Sequence, residues 1–273
     1  MKTRLLIAAL TTLLTFNLNF AQENPNSSWE ASDFKPGEQV FLFGNNVKLR
    51  SDPRIESEVI ELLRIGEWVE IIEKTKFSWP YKGFDSPFYK VKYDTEVGYI
   101  LGGLLSLEKK SLNGIDYYFA ISKEGERSFL NMRHVEEGDY VEQKTALSNV
   151  NFKIKVLDNK GVPHLDSILL IDYQAEACGE EGGGIYFFVH GNHLIKVGEL
   201  SQISEAGIFY YAETFVFPDD ENGVPEKILF KKEQAQNLDE ASQWTQTSTE
   251  SRLLSWVNGN LIPDLREKVP NSL

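Results

Sequence analysis

Cysteine is almost missing from this chain. Cys178 is the only one in 273 residues, so an intramolecular disulfide is impossible. Stability must come from core burial, for which a chain of this length can build one large core or two modest ones. Histidine is scarce at four, and no serine elbow of the hydrolase kind occurs, so catalysis would have only unpaired carboxylates to draw on. Basic residues are in deficit: 28 Lys and Arg face 41 Asp and Glu, for a net charge of −13. Such a surface repels polyanions at long range, which argues against nucleic acid and anionic wall polymers, and no local basic patch stands out along the sequence. The acidity itself serves solubility.

Long apolar runs are also missing, with one short exception at the start. In MKTRLLIAALTTLLTFNLNFAQ, Lys2 and Arg4 precede the apolar stretch Leu5 to Leu14, and Phe20-Ala21 offers a cleavage point before Gln22. This is the layout of a secretory signal peptide over residues 1–21. The run is too short to span a bilayer comfortably, and Asn17 and Asn19 interrupt its end. The chain is therefore expected to be exported, periplasmic or extracellular, without a membrane anchor. Residues 1–21 hold two basic and no acidic residues, so cleavage would leave a charge of −15.

Aromatic residues are plentiful at 12% and supply apolar area for the cores. Residues 22–36 are polar and turn-rich and read as a linker. From Gly37 onward the pattern is one of short alternating segments: Gln39 to Phe43, Asn46 to Leu49, Val59 to Leu63, Glu67 to Ile72, Phe88 to Tyr93 and Gly98 to Ile100. At four to seven residues these suit the strands of a small barrel better than helices, although Glu56 to Leu63 also fits a helical turn.

The order of these segments resembles the bacterial SH3 (SH3b) family over about residues 37–108. The matching residues are Asn46-Val47-Lys48-Leu49-Arg50, the turn Ser51-Asp52-Pro53, Val59-Ile60, Gly66, Phe88-Tyr89-Lys90-Val91 and Val97-Gly98-Tyr99-Ile100. The resemblance implies an SH3-like barrel that binds peptidoglycan or peptide ligands.

After Glu108-Lys109-Lys110 and the Asn113-Gly114 turn, residues 115–273 form a second β-rich region. Strands are expected at Tyr117 to Ile121, Tyr140 to Thr145, Phe152 to Leu157, Ile168 to Tyr173, Ile185 to Val189, Ile208 to Phe217 and Glu226 to Lys231. An antiparallel sandwich or a strongly curved sheet follows. Two hairpins are expected at Gly191-Asn192 and Asn258-Gly259. Ser251 to Val257 also fits a capped helix, but the alternating threonines before it favour strand.

Four places could carry chemistry or binding. His190 and His193 flank a hairpin turn and would be cross-strand neighbours, but no third ligand has a convincing spacing, so no metal site is expected. Cys178 lies in a stretch unlike the nucleophile motif of the NlpC/P60 cysteine peptidases, with His190 and His193 only 12 and 15 residues on, so a small buried thiol is expected. Asp219, Asp220 and Glu221 could bind calcium weakly, although acidic hairpin tips are common. The insertion FSWPYKGFDSPFY is the best binding candidate. Its rings, Trp79, Tyr81, Phe84, Phe88 and Tyr89 together with Phe77, are too many for one loop to bury against itself. They would serve either as a contact surface or as glue between the two regions.

The sequence thus predicts a mostly β protein with an SH3-like barrel and a C-terminal antiparallel β domain. It would act without catalysis or cofactor, by binding a cell-envelope glycan or peptide or a protein partner. An envelope hydrolase with its site in the C-terminal region, or a structural module of a periplasmic assembly, is the alternative.

Overall fold

The structure, a computed structural model, describes residues 33–205, 208–239 and 244–265. The expected leader at 1–21 and most of the expected linker at 22–36 lie outside these residues. The fold is mostly β, with three antiparallel sheets and no α-helix among the described residues.

The first sheet has six strands: β1 (Gln39–Phe41), β2 (Val47–Arg50), β3 (Val59–Leu63), β4 (Trp68–Tyr81), β5 (Phe84–Tyr93) and β6 (Glu96–Leu101). Their order is β1-β4-β5-β6-β2-β3, and the sheet curls into a half-barrel. Period-two alternation aims Val47 and Leu49, Val69 and Ile71, and Tyr89 and Val91 at one core, while Lys48, Trp68 and Lys92 between or beside them are exposed. One 3-10 turn, Gly102–Leu104, leads out of β6.

The second sheet contains β7 (Glu108–Leu112), β8 (Ile115–Glu124), β9 (Arg127–Glu136) and β10 (Asp139–Ala146), in the order β10-β9-β8-β7. Both of its faces are covered. Tyr118 and Ala120 pack with Phe43 and Ile65 of the half-barrel, whereas Tyr117, Phe119, Leu130 and Met132 pack onto the third sheet. A middle layer loses the alternation of a half-exposed strand, so Tyr117 through Ala120 are all buried.

The third sheet is an eight-stranded meander: β11 (Phe152–Leu157), β12 (Ser167–Tyr173), β13 (Gly182–His190), β14 (His193–Glu205), β15 (Phe209–Val216), β16 (Ile228–Asp239), β17 (Trp244–Val257) and β18 (Asn260–Ile262). Ile185 and Phe187 point to the middle sheet, and Phe188 points to a separate core with Phe217, Leu254 and Trp256. Ser251 to Val257 is strand, paired with β16 and then with β18. Both expected hairpin turns are present, at Gly191-Asn192 and at Asn258-Gly259.

The strand pattern misses β7 and β9 and shortens β4. The Glu108-Lys109-Lys110 run reads as a boundary yet forms a strand, because its charges find partners: Lys109 Nζ lies 3.0 Å from Asp116 and 4.6 Å above the Phe41 ring. In β9 the buried Asn131 breaks the apolar pattern. Its Nδ2 donates to Ala120 O at 3.2 Å and Ser122 Oγ at 2.8 Å, which offsets the cost of burial.

Candidate functional site

The aromatic insertion is not a loop. It is the outer half of a long hairpin made by β4 and β5, turning on Lys82 and Gly83 with φ of 48° and 87°. Two positive φ values in a two-residue turn match the twist of the flanking strands. A bulge between Lys74 and Ser78 absorbs extra residues, and Thr75 Oγ1 accepts the Phe77 N–H there at 3.2 Å. Beyond the bulge the register opposes Trp79 to Ser86 and Tyr81 to Phe84, so these four side chains share one face.

The tip of the hairpin is seated on the middle sheet. Lys123 N–H donates to Lys82 O at 2.8 Å. A Cβ on Gly83 would stand 2.2 Å from Lys123 O, so only glycine allows this approach. Between the hairpin and β8 lies a cleft of about 430 Å³, walled by Phe34, Tyr81, Phe84, Tyr89, Leu105 and Ile121. Its floor is Gly102-Gly103: a Cβ at Gly103 would meet the Tyr81 ring at 2.6 Å, and one at Gly102 the Tyr89 ring at 2.8 Å. Gly103 N–H donates to Ser86 Oγ at 2.7 Å, which ties this floor to β5. An ion pair between Lys74 and Asp33 stands at the rim.

The cleft's phenols stay neutral at ordinary pH. Burial pushes the Tyr89 hydroxyl up to about 12, helped by the Asp33 carboxylate that accepts its hydrogen bond at 3.4 Å. Burial also raises Tyr81, against the lowering charge of Arg133. Neutral phenols and ring edges suit a ligand with apolar faces and hydroxyl or amide groups.

The five rings expected to act together, as a contact surface or as glue between the two regions, are split by the fold. Trp79 is 44% exposed, Tyr81 and Phe84 are half-buried in the cleft, and Phe88 and Tyr89 are buried at 2% and 1%. The last two belong to the interior of β5, where Tyr89 enters the half-barrel core and Phe88 lies opposite Leu101 on β6. Phe88 is therefore core, and Tyr89 reaches the cleft only as part of its wall. Phe34, Gly102 and Gly103 were not legible as site residues; the Gly-Gly pair at the end of a strand was the one available signal for close backbone approach.

The remaining candidates also find their places. His190 and His193 are paired across the hairpin, and His190 Nδ1 lies 3.3 Å from His164 O. Among the described residues no group of three or more His, Cys, Asp or Glu is placed to hold a metal ion. Cys178 is exposed, not buried as expected. It lies on the connection between β12 and β13, outside any strand whose alternation could turn it inward. Asp220 is occupied locally: its Oδ2 accepts the Phe217 N–H at 2.9 Å, and Oδ1 stands 3.6 Å from Lys160 Nζ.

Glu199 on β14, which no sequence pattern singled out, ties the third sheet to the connection between β10 and β11. Its Oε1 accepts from Ser148 Oγ at 2.7 Å and Tyr173 OH at 3.0 Å, and Oε2 lies 3.1 Å from Lys196 Nζ. Burial would raise its pKa, but these hydrogen bonds and the lysine charge prevail and hold it below the usual glutamate value.

No protein-family model, curated protein or solved structure matches the chain.

Proposed function

We propose that this is an exported, non-catalytic binding protein that contacts a cell-envelope glycan or peptide, or a protein partner, through the aromatic face of the β4–β5 hairpin. One observation carries the reading: an aromatic-walled cleft of about 430 Å³ continues outward, along the same hairpin face, to the exposed ring of Trp79. Concave, largely apolar sites with a few convergent polar groups are where small ligands and chain segments bind. Exposed tryptophan beside tyrosine is the commonest anchor chemistry of such contacts. The resemblance of residues 37–108 to SH3b modules adds peptidoglycan or peptide as the ligand class, by analogy alone. The test is co-sedimentation of the purified protein with envelope sacculi, with released fragments assayed in parallel. Binding without release that falls on Trp79→Ala and Phe84→Ala supports the proposal. Fragment release points to a hydrolase, and absence of binding to sacculi overturns the envelope ligand.

A further inference from the structure

We infer that the half-barrel carries a second binding surface, a basic face that takes an extended acidic peptide. It is independent of the cleft. In β2, Val47 and Leu49 point into the core, so Lys48 and Arg50 point out. In β5, Tyr89 and Val91 point in, so Lys90 and Lys92 point out. β6 lies between these strands and presents Val97 and Tyr99 outward. Register aligns them: Tyr99 stands opposite Lys90 on one side and Arg50 on the other, and Val97 stands opposite Lys92. Arg50 and Lys90 therefore flank the half-buried Tyr99, Lys92 flanks the exposed Val97, and Lys48 follows one alternate position beyond Arg50 on β2, on a chain whose net charge is −13.

These cations are not consumed by the fold. Lys48 and Lys92 are exposed, and neither makes an ion pair among the described residues. Lys90 reaches Glu73 only at 3.9 Å, across a half-exposed pair. Arg50 donates from Nη1 to Ser57 O at 3.0 Å, which holds its guanidinium against the sheet and leaves its other donors. Glu73 and Glu70, on β4 opposite Lys90 and Lys92, limit the patch on that side.

The spacing selects the partner. Alternate residues on one strand are about 7 Å apart, which separates Lys48 from Arg50 and Lys90 from Lys92. An extended peptide with acidic residues at every second position repeats its carboxylates at the same interval, about 7 Å. Arg50 and Lys90 lie about 10 Å apart, two strand spacings, with Tyr99 between them and Val97 next along β6 as an apolar floor for the peptide stem, while Lys48 and Lys92 extend the cations toward opposite ends. An anionic membrane would meet the whole acidic body of the protein, whereas a single strand of peptide meets only this face.

The test uses the full chain and a rhodamine-labelled peptide of alternating glutamate and threonine, followed by fluorescence anisotropy. Binding is expected in low salt and should weaken about tenfold or more when salt is raised from about 20 to 200 mM. Lys48→Gln with Lys92→Gln should weaken it about tenfold, while Lys153→Gln with Lys227→Gln, an equal charge change on the third sheet and the connection before β16, should leave it unchanged. Amide shifts at Val97 and Tyr99 should accompany binding. Absence of binding, an equal loss in both double variants, or binding of anionic vesicles in place of the peptide would each overturn the inference. All four lysines are at the surface, and an unchanged far-UV spectrum confirms that each variant is folded.

Discussion

Arg133 and Phe43, 90 residues apart, are joined twice. The guanidinium lies 4.3 Å over the Phe43 ring, and Nη1 donates to the Phe43 carbonyl at 3.0 Å. The guanidinium also lies 4.0 Å from the Tyr140 ring, and Nε pairs with Glu142. One side chain thus fastens the half-barrel to the middle sheet. Removing it leaves the Phe43 carbonyl without this donor and Glu142 with only the longer 3.9 Å pairing to Lys82. Arg133→Met should cost about 3 kcal/mol in chemical denaturation. Glu142 is more exposed, so Glu142→Gln should cost less, about 1 kcal/mol. Equal and negligible losses would show that the pair of regions is held by apolar packing alone.

Trp79 separates contact from rivet. Its ring is exposed, so Trp79→Ala should change stability by less than about 0.5 kcal/mol. Its loss should nonetheless weaken retention on sacculi at least about fivefold, as for a central aromatic anchor. Tyr81→Ala, by contrast, removes a half-buried ring packed on Gly103 and should lower the melting temperature. A large drop in melting temperature for Trp79→Ala would make it structural.

Gly83 decides whether the hairpin tip can dock. Gly83→Val combines a positive φ with a branched Cβ placed against the Lys123 carbonyl, and should destabilise by about 2 kcal/mol. The local reading is hydrogen exchange at Lys123 N–H, whose partner is Lys82 O. That amide should lose protection in the variant while amides in β12 and β13 keep theirs at equal global stability.

Glu199 makes part of the stability acid-sensitive. Its folded pKa lies below the ordinary 4.5, so its contribution is fully present above that value and is lost as pH falls through the lower, folded pKa. Unfolding free energy measured from pH 6 down to pH 3 should fall less steeply in Glu199→Gln than in the parent chain below about pH 4.5. Parallel curves would show that other carboxylates account for the acid limb.

Much of the third sheet could be read from the residues, because its strands have one polar side or end at unmistakable turns. Phe152 to Leu157 was expected at the bounds observed, and the Gly191-Asn192 and Asn258-Gly259 turns set two hairpin registers directly. The middle sheet was harder. Tyr117 to Ile121 and Tyr140 to Thr145 were expected as strands and lie in β8 and β10, but the buried polar Asn131 and Arg133 of β9 and the charged run of β7 break the period-two signal for reasons that lie in another strand. The candidate site was legible as a concentration of rings, but not as a surface. Which rings face solvent depends on where β5 enters the half-barrel, and that takes Phe88 and Tyr89 inward.

The basic face makes the same division plain. By itself the sequence determined the β class, the position of most strands, the excess of acid and the clustering of aromatics, because these depend on composition and on neighbours along the chain. It showed no basic patch, since Lys48 and Arg50 are separated from Lys90 and Lys92 by some 40 residues. Only the tertiary structure placed β6 between β2 and β5 and brought the two pairs onto one side. Alternation settles which way each lysine points within its own strand. Strand order, chosen by hydrogen bonding and core burial across the whole sheet, settles which lysines become neighbours.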